Sequence, residues 1–128
     1  MAGTMFSPSQ GSFAGAKLSA SRVVRAGNFY FVSGQAGADP ELGIGQGDAR
    51  AQTFQAFRNV EKALAEVGLT LKDIVKVNVH IDDPRDFVWM NLAMGELFPT
   101  NPPARTTVCA KAVIDTKVEV DVIAYKED

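Results

Sequence analysis

The run Phe29-Tyr30-Phe31-Val32 is the sequence feature that most constrains the fold, because it is apolar at four consecutive positions. Successive side chains of a β-strand point to opposite faces of the sheet, so this strand places large apolar groups on both faces. Residues 21–26 contain a Val-Val pair, and the intervening Gly27-Asn28 is typical of a tight turn, so a β-hairpin is predicted over 21–26 and 29–33. The sheet that contains this hairpin therefore needs apolar cover on both sides.

Two segments have the apolar spacing of α-helices, and each has a single apolar stripe. Residues 48–67 predict the first helix, and Gly68 ends it because glycine readily takes the left-handed backbone of a helix C-terminus. The second helix begins at Asp83-Pro84, where aspartate caps and proline needs no N–H, and it runs to about Phe98. The side chains that we expect these helices to bury are Phe57, Val60, Leu64 and Val67 in the first, and Phe87, Met90, Met94 and Leu97 in the second.

Three further segments have the pattern of β-strands. Residues 75–81 alternate between apolar and polar side chains, and residues 105–110 and 117–125 predict two more strands. The order is therefore β-β-α-β-α-β-β, an α+β fold in which two helices cover one face of a mixed sheet. The residues that we expect to pack under the helices are Val75, Val77, Val79 and Ile81 of the first of these strands, Val108 and Ala110 of the second, and Val118, Val120, Val122 and Ala124 of the last.

The second face of the sheet is left without helices in this arrangement. The apolar run at 29–32 needs cover there, and the chain has no third helix to supply it. We therefore expect a homo-oligomer that buries sheet faces between subunits. A monomer with a solvated sheet face is the simpler alternative.

Length and composition restrict the classes of protein to which this chain can belong. Its 128 residues suit one domain, with the Gly-, Ser- and Ala-rich residues 1–17 as a loose arm. A net charge of −2, without a run of Lys or Arg, argues against a nucleic-acid partner. The apolar stretches are shorter than the roughly 20 residues that span a bilayer. The start of the chain also lacks the pattern of a signal peptide, so we expect a cytoplasmic protein without a membrane partner.

Arg105 and Glu119 are the residues best suited to act on a small molecule. Arg105 follows Pro-Pro-Ala, which restricts its position, and a guanidinium binds a planar carboxylate through paired N–H groups. Glu119 lies among valines, where partial burial suits a carboxyl group to acid–base work. If the last two strands pair as a hairpin, a register that keeps their valines together places both residues on the same side of the sheet. A simple cross-strand ion pair is the alternative, and it stays open.

Three other polar residues are weaker candidates. His80 is the single histidine, which excludes a His-rich metal site, and a surface or interface position is its more common role. Cys109 is the single cysteine, and no neighbour in sequence would activate its thiol. Asn91 interrupts the apolar stripe of the second helix, where it either satisfies a backbone group or faces a ligand.

Five short segments occur in a characteristic order along the chain: 31–35 (FVSGQ), 73–77 (DIVKV), 86–87 (DF) with Asn91, 103–108 (PARTTV) and 118–124 (VEVDVIA). This ordered set resembles the RidA family of enamine/imine deaminases over nearly the whole chain from about Ser19. The arginine after Pro-Ala and the glutamate in the last strand make the resemblance specific.

The resemblance implies a chorismate-mutase-like fold and a homotrimer with three sites in the clefts between subunits. It implies hydrolysis of 2-aminoacrylate and 2-iminobutyrate to 2-keto acids and ammonia, without a metal or an organic cofactor. By position, it assigns Arg105 to the substrate carboxylate, and Glu119 to the attacking water and the proton that reaches nitrogen. The remaining pocket residues that it assigns are Ser33, Gly34, Asn91 and the main chain of Thr107.

A protein that only binds is the second functional hypothesis. A trimer of this family that acts as a sensor or chaperone of small keto or amino acids needs Arg105 as an anchor and has no use for Glu119 as a proton carrier. The presence of both residues favours the enzyme.

Overall fold

The architecture is given by a computed structural model, which describes residues 3–8, 12–13 and 16–128. The helices are α1 (Ala49–Ala65) and α2 (Phe87–Leu97), and single 3₁₀ turns lie at Leu71–Asp73 and Pro84–Asp86. The strands are β1 (Thr4–Pro8), β2 (Ser12–Phe13), β3 (Ala16–Lys17), β4 (Ser21–Ala26), β5 (Phe29–Ala36), β6 (Ile74–Ile81), β7 (Ala104–Cys109) and β8 (Val118–Tyr125).

Six of these strands form one mixed sheet in the order β1-β4-β5-β8-β6-β7. Neighbouring strands are antiparallel except β6 and β7, which are parallel. Helix α1 packs on β5 and β8, and α2 packs on α1. The core is continuous between the helices and this face of the sheet, where Phe57, Met90 and Val120 are fully buried. The predicted α+β fold, with two helices on one face of a mixed sheet, is confirmed.

Helix α1 begins at a side-chain cap. The carboxylate of Asp48 accepts a hydrogen bond of 2.9 Å from the N–H of Ala51, one of the groups that a helix leaves without an internal partner. Phe57 and Leu64 of the predicted apolar stripe are fully buried. Gly68 follows the helix with a φ of +80°, the left-handed backbone expected at its end.

The hairpin predicted around Gly27 forms between β4 and β5. Gly27 has a φ of +63°, and Val23 lies opposite Val32 across the pair. Strand β5 continues to Ala36, three residues beyond the predicted end. The register with β8 shifts between Val32 and Gln35, so the residues between them are left outside the regular ladder.

Strand β6 departs from the predicted alternation at its start. Its ladder with β8 shifts register between Ile74 and Lys76, which inserts an extra residue into β6. Ile74 is consequently buried, and Val75 is 44% exposed. The prediction that Val75 packs under the helices is wrong because of this irregularity, whereas the alternation is confirmed from residue 77 onward.

The turn before α2 is capped as the sequence predicts. The Asp83 carboxylate accepts a hydrogen bond from the N–H of Arg85, and Pro84 occupies the first position. The Arg85 guanidinium donates to the same carboxylate and lowers the pKa of Asp83 from 3.8 to about 2. The capped segment is a 3₁₀ turn rather than α-helix, so α2 itself starts at Phe87.

Helix α2 buries Met90 and Met94, as predicted, and leaves Phe87 40% exposed. Phe87 lies in the first turn, where its ring packs against the guanidinium of Arg105 instead of the core. The prediction that Phe87 is buried is therefore wrong, and this contact draws it into the candidate site described below.

The N-terminal segment adds an edge strand to the sheet. Strand β1 pairs antiparallel with β4, and β2 and β3 form a separate two-stranded ribbon. Residues 4–8 of the predicted arm are thus held by β4, and the pairing covers backbone groups that the edge of the sheet would otherwise expose. Part of the predicted arm, residues 1, 2, 9–11, 14 and 15, lies outside the described residues.

The face of the sheet opposite the helices, here called the open face, carries an apolar row. Phe6, Val24, Phe31 and Ile123 are register partners on β1, β4, β5 and β8. Because register partners on adjacent strands share a face, these side chains form one stripe across four strands. Phe6 is 64% exposed and Phe31 is 43% exposed. Such a stripe is typical of a surface that another protein chain covers.

Replacing Asp48 with alanine tests the cap of α1. We expect Asp48→Ala to lower the free energy of unfolding by about 1 kcal/mol, because the N–H of Ala51 loses its partner. Urea denaturation measures the loss. Glu61→Ala, at an exposed position of the same helix, is the control and is expected to stay within about 0.5 kcal/mol. Equal losses in the two variants would contradict the role of Asp48.

Candidate active site

Strands β7 and β8, expected to pair as a hairpin, are not neighbours in the sheet. Strand β8 lies between β5 and β6, whereas β7 lies at the edge and runs parallel to β6. Arg105 is in register with Val77, which is buried under the helices, and Glu119 is in register with His80 on the open face. The prediction that Arg105 and Glu119 lie on the same side of the sheet is therefore wrong.

The wrong prediction for the side of the sheet on which Arg105 lies arises from the weak apolar pattern of β7. Thr107 faces the helices, and Val108 lies on the open face, where it is 45% exposed. The expectation that Val108 and Ala110 pack under the helices is wrong as well, since Ala110 is exposed beyond the end of β7. A strand with one large apolar side chain has little preference for either face, so its pairing with β6 decides the orientation.

Arg105 forms a cluster with three residues of α2, here called the arginine cluster. Its Nη1 donates to Oδ1 of Asn91 at 3.0 Å and lies 3.7 Å from Sδ of Met94. Its Cζ lies 5.4 Å from the centroid of the Phe87 ring. Residues 87, 91 and 94 are spaced by four and three positions, so they share one face of the helix and meet the guanidinium together.

A cavity of about 420 Å³ lies beside the arginine cluster. Among the described residues, no Asp or Glu forms an ion pair with Arg105. Since Asn91 takes one of the five N–H donors of the guanidinium, other donors remain for an anion. The side chains that line this cavity include Asn91, Met94, Phe98, Pro102, Pro103 and Arg105.

Glu119 belongs to a second group with Ser33 and Gly34, here called the glutamate cluster. The carboxyl group lies so close to Gly34 that a Cβ at this position would be 3.0 Å from Glu119 Oε2. The Ser33 hydroxyl donates to the carbonyl oxygen of Ser21 at 2.6 Å. Ser33 and Gly34 are the two residues left outside the β5–β8 ladder by its register shift. Ser33 and Gly34 also line a cavity of about 610 Å³ whose other lining residues include Leu18, Ala20, and Asn59 and Lys62 of α1, and do not include Glu119.

The main chain of Thr107 faces the free edge of β7. The N–H of Ala110 donates to the carbonyl oxygen of Ile81, so the even-numbered residues of β7 bond to β6. The N–H and C=O groups of the odd-numbered residues Arg105 and Thr107 consequently point away from β6. In the described part of the chain, no strand pairs with that edge.

The six predicted site residues thus fall into two groups. Arg105, Asn91 and Thr107 lie on β7 and on the helix beside it, and Ser33, Gly34 and Glu119 lie on β5 and β8. Arg105 and Glu119 lie two strand spacings apart, about 10 Å across the sheet, and their partners on β6, Val77 and His80, are three residues apart. The two side chains project to opposite faces. One chain alone therefore does not bring the guanidinium and the carboxyl group to one ligand.

Sequence reasoning missed two contacts of Arg105 and one register partner of Glu119. Phe87 and Met94 contact Arg105, and their spacing around Asn91 on one helix face was the available signal. His80 is the register partner of Glu119, which no local pattern indicates because the two strands are far apart in sequence.

Within residues 3–8, 12–13 and 16–128, no group of three or more His, Cys, Asp or Glu side chains is arranged to hold a metal ion. In the same residues, no helix has the length and apolar character needed to cross a membrane.

Comparison with known proteins identifies the family. Residues 14–126 match the family model described as Endoribonuclease L-PSP. The crystal structure of RidA from the Antarctic bacterium Psychrobacter sp. PAMC 21119 superimposes with a TM-score of 0.80 at 31% identity, covering 90% of this chain and 92% of that one. The chain belongs to the RidA family. The resemblance to this family that was noted from five sequence segments is thereby confirmed.

Relatives of known sequence have different names within the family. A RutC family protein of Pyrococcus abyssi is 41% identical over 109 residues, which cover 84% of this chain and 86% of the relative. The 2-iminobutanoate/2-iminopropanoate deaminase of Dermatophagoides farinae is 34% identical over 109 residues, 84% of this chain and 85% of the relative. A Saccharomyces cerevisiae relative, 36% identical over 114 residues that cover 88% of this chain and 79% of the relative, is named as mitochondrial.

Replacing Gly34 with alanine tests the contact between Gly34 and Glu119. The backbone at Gly34 is not left-handed, and the new Cβ would meet the end of a flexible side chain. We expect Gly34→Ala to change the free energy of unfolding by less than about 0.5 kcal/mol and to displace the Glu119 carboxyl group. The carboxyl carbon signal of Glu119 in NMR spectra reports the displacement. Gly95→Ala, where a Cβ meets nothing within 4 Å, is the control that leaves this signal unchanged.

Proposed function

We propose that this RidA family protein hydrolyses reactive enamine and imine intermediates, of the 2-aminoacrylate and 2-iminobutyrate type, to 2-keto acids and ammonia. The proposed sites lie between adjacent chains of a homotrimer, and they use no metal or organic cofactor. The observation that carries the proposal is the Arg105 guanidinium, which lies beside a cavity without a carboxylate partner among the described residues. The name of the Dermatophagoides farinae relative supports the reaction class.

In this proposal, Arg105 binds the substrate carboxylate. A 2-imino acid carries one carboxylate next to the reacting carbon, so fixing the carboxylate fixes the position of that carbon. The bond from Arg105 to Asn91 orients the guanidinium, and the Phe87 ring supports its flat face. The outward N–H of Thr107, two residues further along β7, is available to the same ligand.

Glu119 handles protons in the proposed reaction. Its carboxylate removes a proton from water as the water oxygen bonds to the imine carbon, and the proton goes to nitrogen. The second proton of the water also moves to nitrogen as the C–N bond breaks and the C=O bond forms. Ammonia leaves, and no electrons are exchanged with a cofactor. Ser33 and Gly34, outside the regular ladder, shape the pocket around this carboxylate.

Two chains are needed to complete such a site. Because Arg105 and Glu119 project from opposite faces of one sheet, the substrate would contact Arg105 of one chain and Glu119 of the next. The apolar row on the open face, from Phe6 to Ile123, supports an assembly that covers this face. The homotrimer, the cytoplasmic location and the lack of a nucleic-acid partner stay predictions.

An assay with freshly generated substrate tests the reaction. A threonine dehydratase supplies 2-iminobutyrate, and ammonia release is compared for the unmodified protein, Arg105→Ala and Glu119→Gln. We expect Glu119→Gln to lower kcat at least about 100-fold, and Arg105→Ala to lower kcat/KM by about the same factor. Arg58→Ala and Glu61→Gln, both at exposed positions of α1, are the matched controls that keep full activity.

The same assay separates the enzyme from the non-catalytic binder. Ammonia release by the unmodified protein no faster than in its absence would contradict the enzyme. If 2-ketobutyrate then binds the unmodified protein and not Arg105→Ala, as measured by calorimetry, the protein is a binder. Full activity in Glu119→Gln would contradict the proton-transfer role of Glu119 and would leave the enzyme hypothesis itself intact.

Mixing two inactive variants tests whether the site is shared between chains. Trimers assembled from equal amounts of Arg105→Ala and Glu119→Gln chains contain interfaces at which an intact Arg105 meets an intact Glu119. Random assembly in a cyclic trimer restores about one quarter of the sites. We expect ammonia release to recover to that level only after the two variants are unfolded and refolded together. Each variant refolded alone is the control, and no recovery in the mixture would contradict a site that takes Arg105 and Glu119 from different chains.

A further inference from the structure

His80 is a half-buried titratable residue that the proposed mechanism leaves unused. It is the single histidine of the chain, and it lies in the middle of β6 on the open face. Its Nδ1 is buried and has no hydrogen-bond partner among the described residues. A buried polar atom without a partner costs free energy, so such an atom is commonly kept for a role in function.

The sheet register places His80 directly opposite Glu119. The N–H of Asp82 donates to the carbonyl oxygen of Lys117 across the same ladder, so residues 80 and 119 form a pair of the hydrogen-bonded type. The Cβ atoms of such a pair lie about 5.5 Å apart on one face of the sheet. The equivalent pair two positions along, Asn78 and Asp121, joins its side chains by a hydrogen bond of 2.9 Å. The side chains of His80 and Glu119 are therefore within reach of each other.

Glu119 lies between two neighbours on adjacent strands. Its carboxyl group lies over Gly34 of β5, and His80 of β6 flanks it on the other side. Beyond His80, strand β7 contributes Thr106 and Val108 to the open face, which are not charged. No acidic group other than Glu119 is the direct register partner of His80. The Nδ1 atom, which has no hydrogen-bond partner among the described residues, and the Glu119 carboxyl group are thus placed to share a hydrogen bond.

We propose that His80 is a positioning residue for Glu119, with Nδ1 as the hydrogen-bond partner of the Glu119 carboxyl group. This inference rests on the proposed function for its chemical role. As a carboxylate, Glu119 lies over Gly34 and removes a proton from the attacking water. The carboxylic acid that results donates its O–H to the lone pair on Nδ1 of His80. The proton stays on this pair until the nitrogen of the substrate takes it and ammonia leaves, so each proton of the water ends on nitrogen and Glu119 is a carboxylate again.

Two substitutions of His80 separate a positioning role from a role in packing. His80→Phe keeps an aromatic ring at this position and has no acceptor, so kcat is expected to fall about tenfold while KM stays within about twofold. His80→Gln keeps an acceptor and is expected to restore kcat to within about threefold of the unmodified protein. Asn78→Ser, on the same face of the same strand, is the control and keeps its kcat. Equal kcat values for the Phe and Gln variants would overturn the proposal.

A double substitution tests whether His80 acts through Glu119. If it does, adding His80→Phe to Glu119→Gln leaves the residual kcat unchanged, because the carboxyl group that it positions is absent. If His80→Phe lowers kcat by the same factor in Glu119→Gln as in the unmodified protein, the proposal is overturned.

A measurement without substrate keeps this inference separate from the proposed function. The ring nitrogen signals of His80 in NMR spectra are expected to change on Glu119→Gln, because the glutamine amide N–H can donate to Nδ1 and a carboxylate cannot. They are expected to stay unchanged on Asp121→Asn, whose carboxylate pairs with Asn78. Unchanged signals in Glu119→Gln would overturn the pairing even in an active enzyme. Changed signals in a protein that does not hydrolyse 2-iminobutyrate would support the pairing and contradict the proposed function.

Discussion

The burial of the β8 valines under the helices is the constraint on which the rest of the structure depends. Strand β8 lies in the middle of the sheet, between β5 and β6, and Val118, Val120 and Val122 are almost fully removed from solvent. Because side chains alternate along a strand, the same burial places Glu119 and Asp121 on the open face. A shift of one residue would move every valine out of the core, so the position of the Glu119 carboxyl group is set by the packing of its neighbours.

The open face links assembly to chemistry in this protein. The apolar row from Phe6 to Ile123 and the glutamate cluster occupy the same side of the sheet, whereas the arginine cluster lies on the side of the helices. Covering the row with another chain would remove apolar surface from water and shelter Glu119 at the same time. Under the proposed function, therefore, the contacts that build the oligomer also build the site.

Local structure could be predicted closely from the sequence. The Asp83 cap, the turn at Gly27 and the left-handed Gly68 each depend on a few consecutive residues, and each has the expected geometry. The errors fall where local pattern is weak or interrupted. Val75 turned outward because of an inserted residue in β6, and Phe87 left the core because the α-helix starts at that position.

The sequence by itself determined which segments between residues 21 and 125 are helices and strands, because apolar spacing acts over a few residues. It also determined which side of β8, and of β6 from residue 77 onward, is buried. It also predicted Arg105 and Glu119 as the residues best suited to act on a small molecule. Only the tertiary structure decided that β7 lies parallel to β6, that β8 lies two strands from β7, and that the two side chains project from opposite faces. The physical reason is that contacts between residues far apart in sequence determine which strands are neighbours. In addition, β7 has too few apolar side chains for its sequence to indicate which of its faces is buried.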